Sequence, residues 1–144
     1  MTRRRRTEIV ARASQDFARK LAQDIQATYP IKVIQSPQPG LVMIKQRESG
    51  RNGLFYLGEL YVTEAKVALG ESLGLGLIQD DDADRAADHA LNAAVIDAAF
   101  NAGVPELAGW LPRFEEQARL IAQAAANDTA RINQSKVSFE TMDA

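Results

Sequence analysis

The chain has 144 residues, 46% of them hydrophobic and 25% charged, with a net charge of −2 and a pI near 5.4; this is a globular composition with room for one sizeable core. The absence of cysteine excludes a disulfide framework and thiolate chemistry. No apolar run approaches the roughly 18–20 residues of a membrane helix, and the balance of charge gives no sign of nucleic-acid binding, so a cytoplasmic protein is expected.

Residues 1–6 read as a basic N-terminal tail, Met-Thr-Arg-Arg-Arg-Arg, and residues 7–144 as a single domain. The tail is either a solvated helix start or a surface that steers anions. Residues 7–29 are expected to form one amphipathic helix, because Val10, Ala13, Phe17, Leu21 and Ile25 recur at steps of three and four. Tyr29-Pro30 ends it, since the residue before proline is driven out of the helical region.

Two short strands follow, Ile31-Lys32-Val33-Ile34 and Leu41-Val42-Met43-Ile44-Lys45, around a Pro37-Gln38-Pro39-Gly40 turn. The polar segment 47–53 ends in Asn52-Gly53, a dipeptide suited to a tight hairpin. The next strand, 54–69, is apolar at both odd and even positions, which predicts that both faces of the sheet are covered. Gly58 is a natural place for a bulge. Leu73-Gly74-Leu75-Gly76-Leu77-Ile78 returns as another strand, and its glycines permit close approach by a helix, a partner backbone or a ligand.

Asp80-Asp81-Asp82 supplies a helix N-cap, or alternatively joins Asp84 as ligands for a hard cation. The helix that follows reaches about Asn101 and closes at Gly103 and Pro105. Its second half is apolar nearly all round, so it is buried. A last helix starts at Pro112, and Val137, Phe139 and Thr141 alternate as one more strand. The expected fold is therefore α+β, with an antiparallel or mixed sheet of about four to five strands, helices packed on it, and the order α-β-β-β-β-α-α-β.

No catalytic or metal-binding constellation stands out. The lone His89 reads as a bystander on a half-exposed helix. Arg47 and Arg51 bracket Gly50 and, with Lys66, could hold a phosphate ester through charged hydrogen bonds. Glu59 sits among apolar strand neighbours, where an unpaired charge is costly. It pairs with Lys66, with Arg47 or Arg51, or with a group on another chain.

The blocks Pro39–Met43, R-E-S-G-R-N-G-L-F-Y-L-G-E-L-Y-V-T (47–63), G-L-G-L-I-Q-D (74–80), D-H-A-L-N-A-A-V-I-D-A (88–98) and S-K-V-S-F-E-T-M (135–142) resemble the PhnG subunit of the bacterial carbon–phosphorus lyase system. The resemblance covers most of residues 31–142. It implies an accessory or scaffolding subunit working with PhnH, PhnI and PhnJ. Their complex supports formation of ribose 1-(alkylphosphonate) 5-triphosphate from an alkylphosphonate and MgATP, the latter a substrate of the complex and not a cofactor of this chain. Where the family carries G-R-D after the glycine-rich strand, this chain has Gln79-Asp80-Asp81-Asp82, so a basic role there falls to Arg85. The resemblance carries over no catalytic residue. Phe55, Tyr56, Glu59, Tyr61, Val137, Phe139 and Met142 are the expected subunit-interface residues, and an isolated chain is expected to self-associate through the same surface. The alternative is a phosphate-ester or nucleotide binding module acting through Arg47, Arg51 and Lys66.

Overall fold

A serine cap breaks the first predicted helix in two. The computed structural model describes residues 1–47 and 54–143, with side chains for residues 1–45 and 58–133. Helix α1 spans Arg3–Arg12, and its N-cap Thr2 accepts from the Arg5 N–H. Helix α2 spans Gln15–Thr28, and Ser14 accepts from the Phe17 N–H at 3.2 Å. The single helix expected over 7–29 is thus wrong at Ala13-Ser14, where both residues are extended. The side-chain cap at Ser14 competes with helix continuation. The break lets Ile9 and Val10 of α1 and Phe17, Leu21 and Ile25 of α2 all enter the core.

Strand β1, Ile31–Arg47, and strand β2, Leu54–Leu69, form a long antiparallel pair running from Ile31↔Leu69 to Arg47↔Leu54. The two strands expected around a Pro37–Gly40 turn are one continuous strand. Register shifts between Val33 and Gln35 and between Gln35 and Gln38 absorb the irregular stretch without reversing the chain. A third shift lies opposite Gly58, where a bulge was expected. Strand β3, Ser72–Ile78, returns after Gly70, whose φ of 61° is available to glycine at little cost. It pairs only with Thr63–Leu69 of β2.

Helix α3, Ala83–Ala102, lies on this three-stranded part. Its start and end follow the sequence: the Asp82 carboxylate caps the Arg85 N–H at 3.0 Å, and Gly103 closes the helix at φ 69°. Gly74 and Gly76 pack directly on its alanine row. A Cβ at Gly74 would lie 2.0 Å from the Ala94 carbonyl oxygen, and one at Gly76 would lie 1.9 Å from that of Ala90. Of the three occupants the glycines permit, the structure shows the helix.

Helix α4, Leu107–Asp143, is 37 residues long and contains Pro112. It begins a turn and a half before the expected start, because Leu107, Ala108 and Gly109 donate to the carbonyls of Val104, Pro105 and Glu106. Phe114 meets Phe17 and Phe100 edge-on at 5.3 and 5.4 Å between centroids, and Trp110 meets Phe100 at 5.9 Å. Each such pair contributes about 0.5–1.5 kcal/mol, which anchors the first turns of α4 to α2 and α3.

The predicted C-terminal strand is incorrect: residues 136–142 lie in α4. A three-residue alternation cannot form a strand without a ladder partner, whereas the helix already running from Leu107 meets no glycine or proline beyond Pro112. Among the described residues the fold is α+β in the order α-α-β-β-β-α-α, with sheet order β1-β2-β3, all antiparallel. The sheet has three strands, not four to five.

Candidate assembly surface

Helices cover the sheet only at its root. On β2, Ala65 and Val67 are buried against the helices, yet Tyr61 of the same parity is 75% exposed. Beyond Thr63 the sheet narrows to β1 and β2 alone, a two-stranded arm. Leu41, Val42, Met43 and Ile44 are all exposed there, Met43 by 55%. Cross-strand pairing sorts the arm into two faces. Leu41 and Met43 face the same side as Tyr61 and Glu59, while Val42 and Ile44 share the other with Leu60 and Gly58. Both sides of the arm are therefore apolar and open. The expectation that both sheet faces are covered fails within this chain.

On the root of the sheet, the side away from the helices is open as well. Leu73 is 61% exposed, and Leu75 and Leu77 project to the same side as Lys66 and Glu64. A second projecting element is α4: every described side chain from Ala122 to Asn133 is exposed. Twelve residues at 1.5 Å each give about 18 Å of solvent-exposed helix.

The predicted interface residues divide accordingly. Tyr61 and Glu59 lie exposed on the arm, opposite Leu41 and Met43. Phe55 and Tyr56 lie in β2 opposite Gln46 and Lys45, and their side chains are outside the described residues. Val137, Phe139 and Met142 are in the last turns of α4, so they belong to a helix and not to a strand; their side chains too are outside the described set.

The predicted anion site is not brought together as drawn. Arg47 pairs with Leu54 at the far end of the arm. Lys66 is exposed on the root, twelve residues further along β2, about 40 Å away at 3.3 Å per residue. Arg51 lies outside the described residues. Glu59 and Lys66 are seven residues apart and on opposite faces of β2, about 23 Å by the same rise, so they do not pair with each other.

Charges near the helices have structural partners. Arg85 grips Asp80 in a fork, Nε to Oδ2 at 2.7 Å and Nη2 to Oδ1 at 2.8 Å. The Arg85 hydrogen bonds, with one from the Asp82 N–H, hold the Asp80 carboxyl well below the usual range. Asp82 is the helix cap, so two of the four aspartates have local structural work. Among the described residues no group of three acidic or imidazole side chains gathers as a cation site.

Three residues were missed or misread in the sequence. His89 is buried, not half-exposed, and its Nε2–H donates to the Val10 carbonyl at 2.9 Å. Asp97 is buried and accepts from Arg3 Nη2 at 2.9 Å, Arg6 Nη2 at 3.2 Å and the Leu75 N–H at 3.0 Å. Arg6, expected in a solvated tail, is buried, with its guanidinium 4.7 Å from the Phe100 ring centre and 2.9 Å from Asn101 Oδ1. Asn101 in turn donates to the Leu73 carbonyl at 2.7 Å. The only local signal was a charged residue inside the apolar half of α3.

Residues 1–143 match the family model described as phosphonate metabolism protein PhnG. Comparison with curated proteins gives no match.

Proposed function

Because the chain belongs to the PhnG family of phosphonate metabolism proteins, we propose that it serves as a scaffolding subunit of the carbon–phosphorus lyase core complex, with PhnH, PhnI and PhnJ as its partners. In that role it supports formation of ribose 1-(alkylphosphonate) 5-triphosphate from MgATP and an alkylphosphonate, and the reacting groups reside on the other subunits.

The observation that carries this reading is the two-stranded arm with Leu41, Val42, Met43, Ile44 and Tyr61 exposed on its two faces. A two-stranded ribbon is at best marginally stable in water, and an apolar surface of this kind marks an interaction site. The exposed length of α4 adds a second such element. Co-expression with the other core subunits is expected to yield a stable complex that forms the triphosphate from MgATP and methylphosphonate. This chain alone is expected to give no turnover. A monodisperse chain that never joins the other subunits would sink the proposal, as would turnover by the chain in isolation.

A further inference from the structure

The two outer strands of the sheet, β1 and β3, expose their edges differently. In an antiparallel ladder the N–H and C=O of a residue point to the same side, alternating along the strand. On β3 the outward groups belong to Leu73 and Leu75, because the Leu73 carbonyl accepts from Asn101 and the Leu75 N–H donates to Asp97. Side chains of α3 thus occupy backbone groups that a further strand would need. Helix α1 also flanks this edge, where Arg3, Arg4 and Thr7 line a groove with Leu75 and Leu77. The β3 edge is closed; past Thr63, where β3 has ended, the outer edge of β2 is unpaired too, but it carries the charged Glu59 beside Tyr61.

The same alternation propagates to β1. If Leu75 points away from β2, its partner Lys66 points toward β1, and so do the even-numbered residues of β2 down to Gly58. Gly40, Val42 and Ile44 therefore bond to β2, while Pro39, Leu41 and Met43 turn their backbone outward. Pro39 fits that assignment, since an outward position is where a strand tolerates a missing N–H. No strand of this chain pairs with the outer edge of β1 among the described residues. Leu41 and Met43 present two N–H and two C=O groups there, framed by exposed apolar side chains on both faces. Long apolar edges are ordinarily blunted by charge, bulge or cover, as β3 is; between Gly40 and Ile44 this one has no charged residue and no register shift.

We propose that the outer edge of β1 at Leu41–Met43 receives an extended segment of a sibling subunit as a fourth strand. The inference rests on the scaffolding role above and identifies how the partner is held. Main-chain hydrogen bonds supply the attachment, and alternate side chains of the guest lie over Leu41 and Met43 on one face and Val42 and Ile44 on the other. Because both faces are apolar, the guest is a short run of consecutive apolar residues rather than an amphipathic strand. It stops at Pro39, which offers a carbonyl and no N–H.

Proline substitution separates this from side-chain docking. Leu41→Pro and Met43→Pro each remove an outward N–H without touching the bonds to β2, whereas Leu41→Thr and Met43→Thr keep the backbone donor. In complexes made by co-expression with the other core subunits, each proline variant is expected to lower recovery at least tenfold. Each threonine variant is expected to stay within about threefold of wild type. Amide exchange on the wild-type protein provides a measurement that does not depend on the variants folding. Leu41 and Met43 amides exchange quickly in the isolated chain and are slowed at least a hundredfold in the complex, while Val42 and Ile44 are protected in both.

Fast Leu41 exchange in the complex, normal assembly of well-folded proline variants, or equal losses with threonine would each overturn strand addition while leaving the scaffolding role intact. Protection of Leu41 in an isolated dimer would assign the edge to a second copy and overturn the proposal as well. Failure of the wild-type chain to join any core subunit would remove the scaffolding role, and the proposal with it.

Discussion

Asp97 accepts hydrogen bonds from three donors outside its own helix, and two of them are charged. Arg6 is the one that matters most energetically, because it is buried and Arg3 is 60% exposed. Asp97→Ala leaves the Arg6 guanidinium desolvated without its carboxylate, which costs about 3–5 kcal/mol. Urea denaturation is expected to show that loss, whereas Arg3→Ala changes stability by about 1 kcal/mol or less. The pair Asp80–Arg85 yields a pH prediction. The Asp80 carboxyl is depressed in the folded state by its Arg85 hydrogen bonds, so its stabilising effect is complete above the ordinary carboxylate range near pH 4. It fades as pH falls below that range. The stability difference between wild type and Asp80→Asn is therefore expected to stay constant from pH 7 to 5 and to shrink toward pH 2 in acid titration. Local capping residues were legible here: Asp82 and Gly103 act through backbone groups a few residues away. Asp97, Arg6 and His89 were not, since their partners lie more than twenty residues distant.

At the scale of elements, the contact between β3 and α3 depends on glycine. The Cβ of Gly76→Ala would overlap the Ala90 backbone at 1.9 Å, and backbone cannot rotate away as a side chain can. Destabilisation of about 3 kcal/mol is expected, at the upper end of typical overpacking, readable as a lowered midpoint in denaturant. Gly58→Ala meets nothing within 4 Å and is expected to change stability by about 0.5 kcal/mol or less. The sequence announced close approach at Gly74 and Gly76 but not its occupant. Nor did it show that 7–29 is two helices, that 31–47 is one strand or that 136–142 is helical. In each case a local pattern met a competing partner: the Ser14 cap, the β2 ladder, and the helix arriving from Leu107.

For the whole molecule, two parts reach past the core, the β1–β2 arm and the distal length of α4. Ile132 is 67% exposed, and Ile132→Asp is expected to leave the stability of the isolated chain within about 0.5 kcal/mol of wild type, as for other surface changes. If α4 is a docking helix, the same substitution weakens assembly with the core subunits at least tenfold in co-purification. Unchanged assembly would restrict the interface to the arm. The sequence by itself determined the α+β class, the caps of α3 at Asp82 and Gly103, the close approach at Gly74 and Gly76 and the apolar character of residues 41–44 and 54–62, because each depends on nearby residues or on periodicity. Only the tertiary structure decided that the arm is uncovered, that Arg47 and Lys66 stand far apart, and that the β3 edge is closed while the β1 edge is open. Those depend on which distant residues meet: Asp97 and Asn101 reach the outer backbone of β3, no further strand of the described chain pairs with the outer edge of β1, and periodicity along a strand carries no record of either.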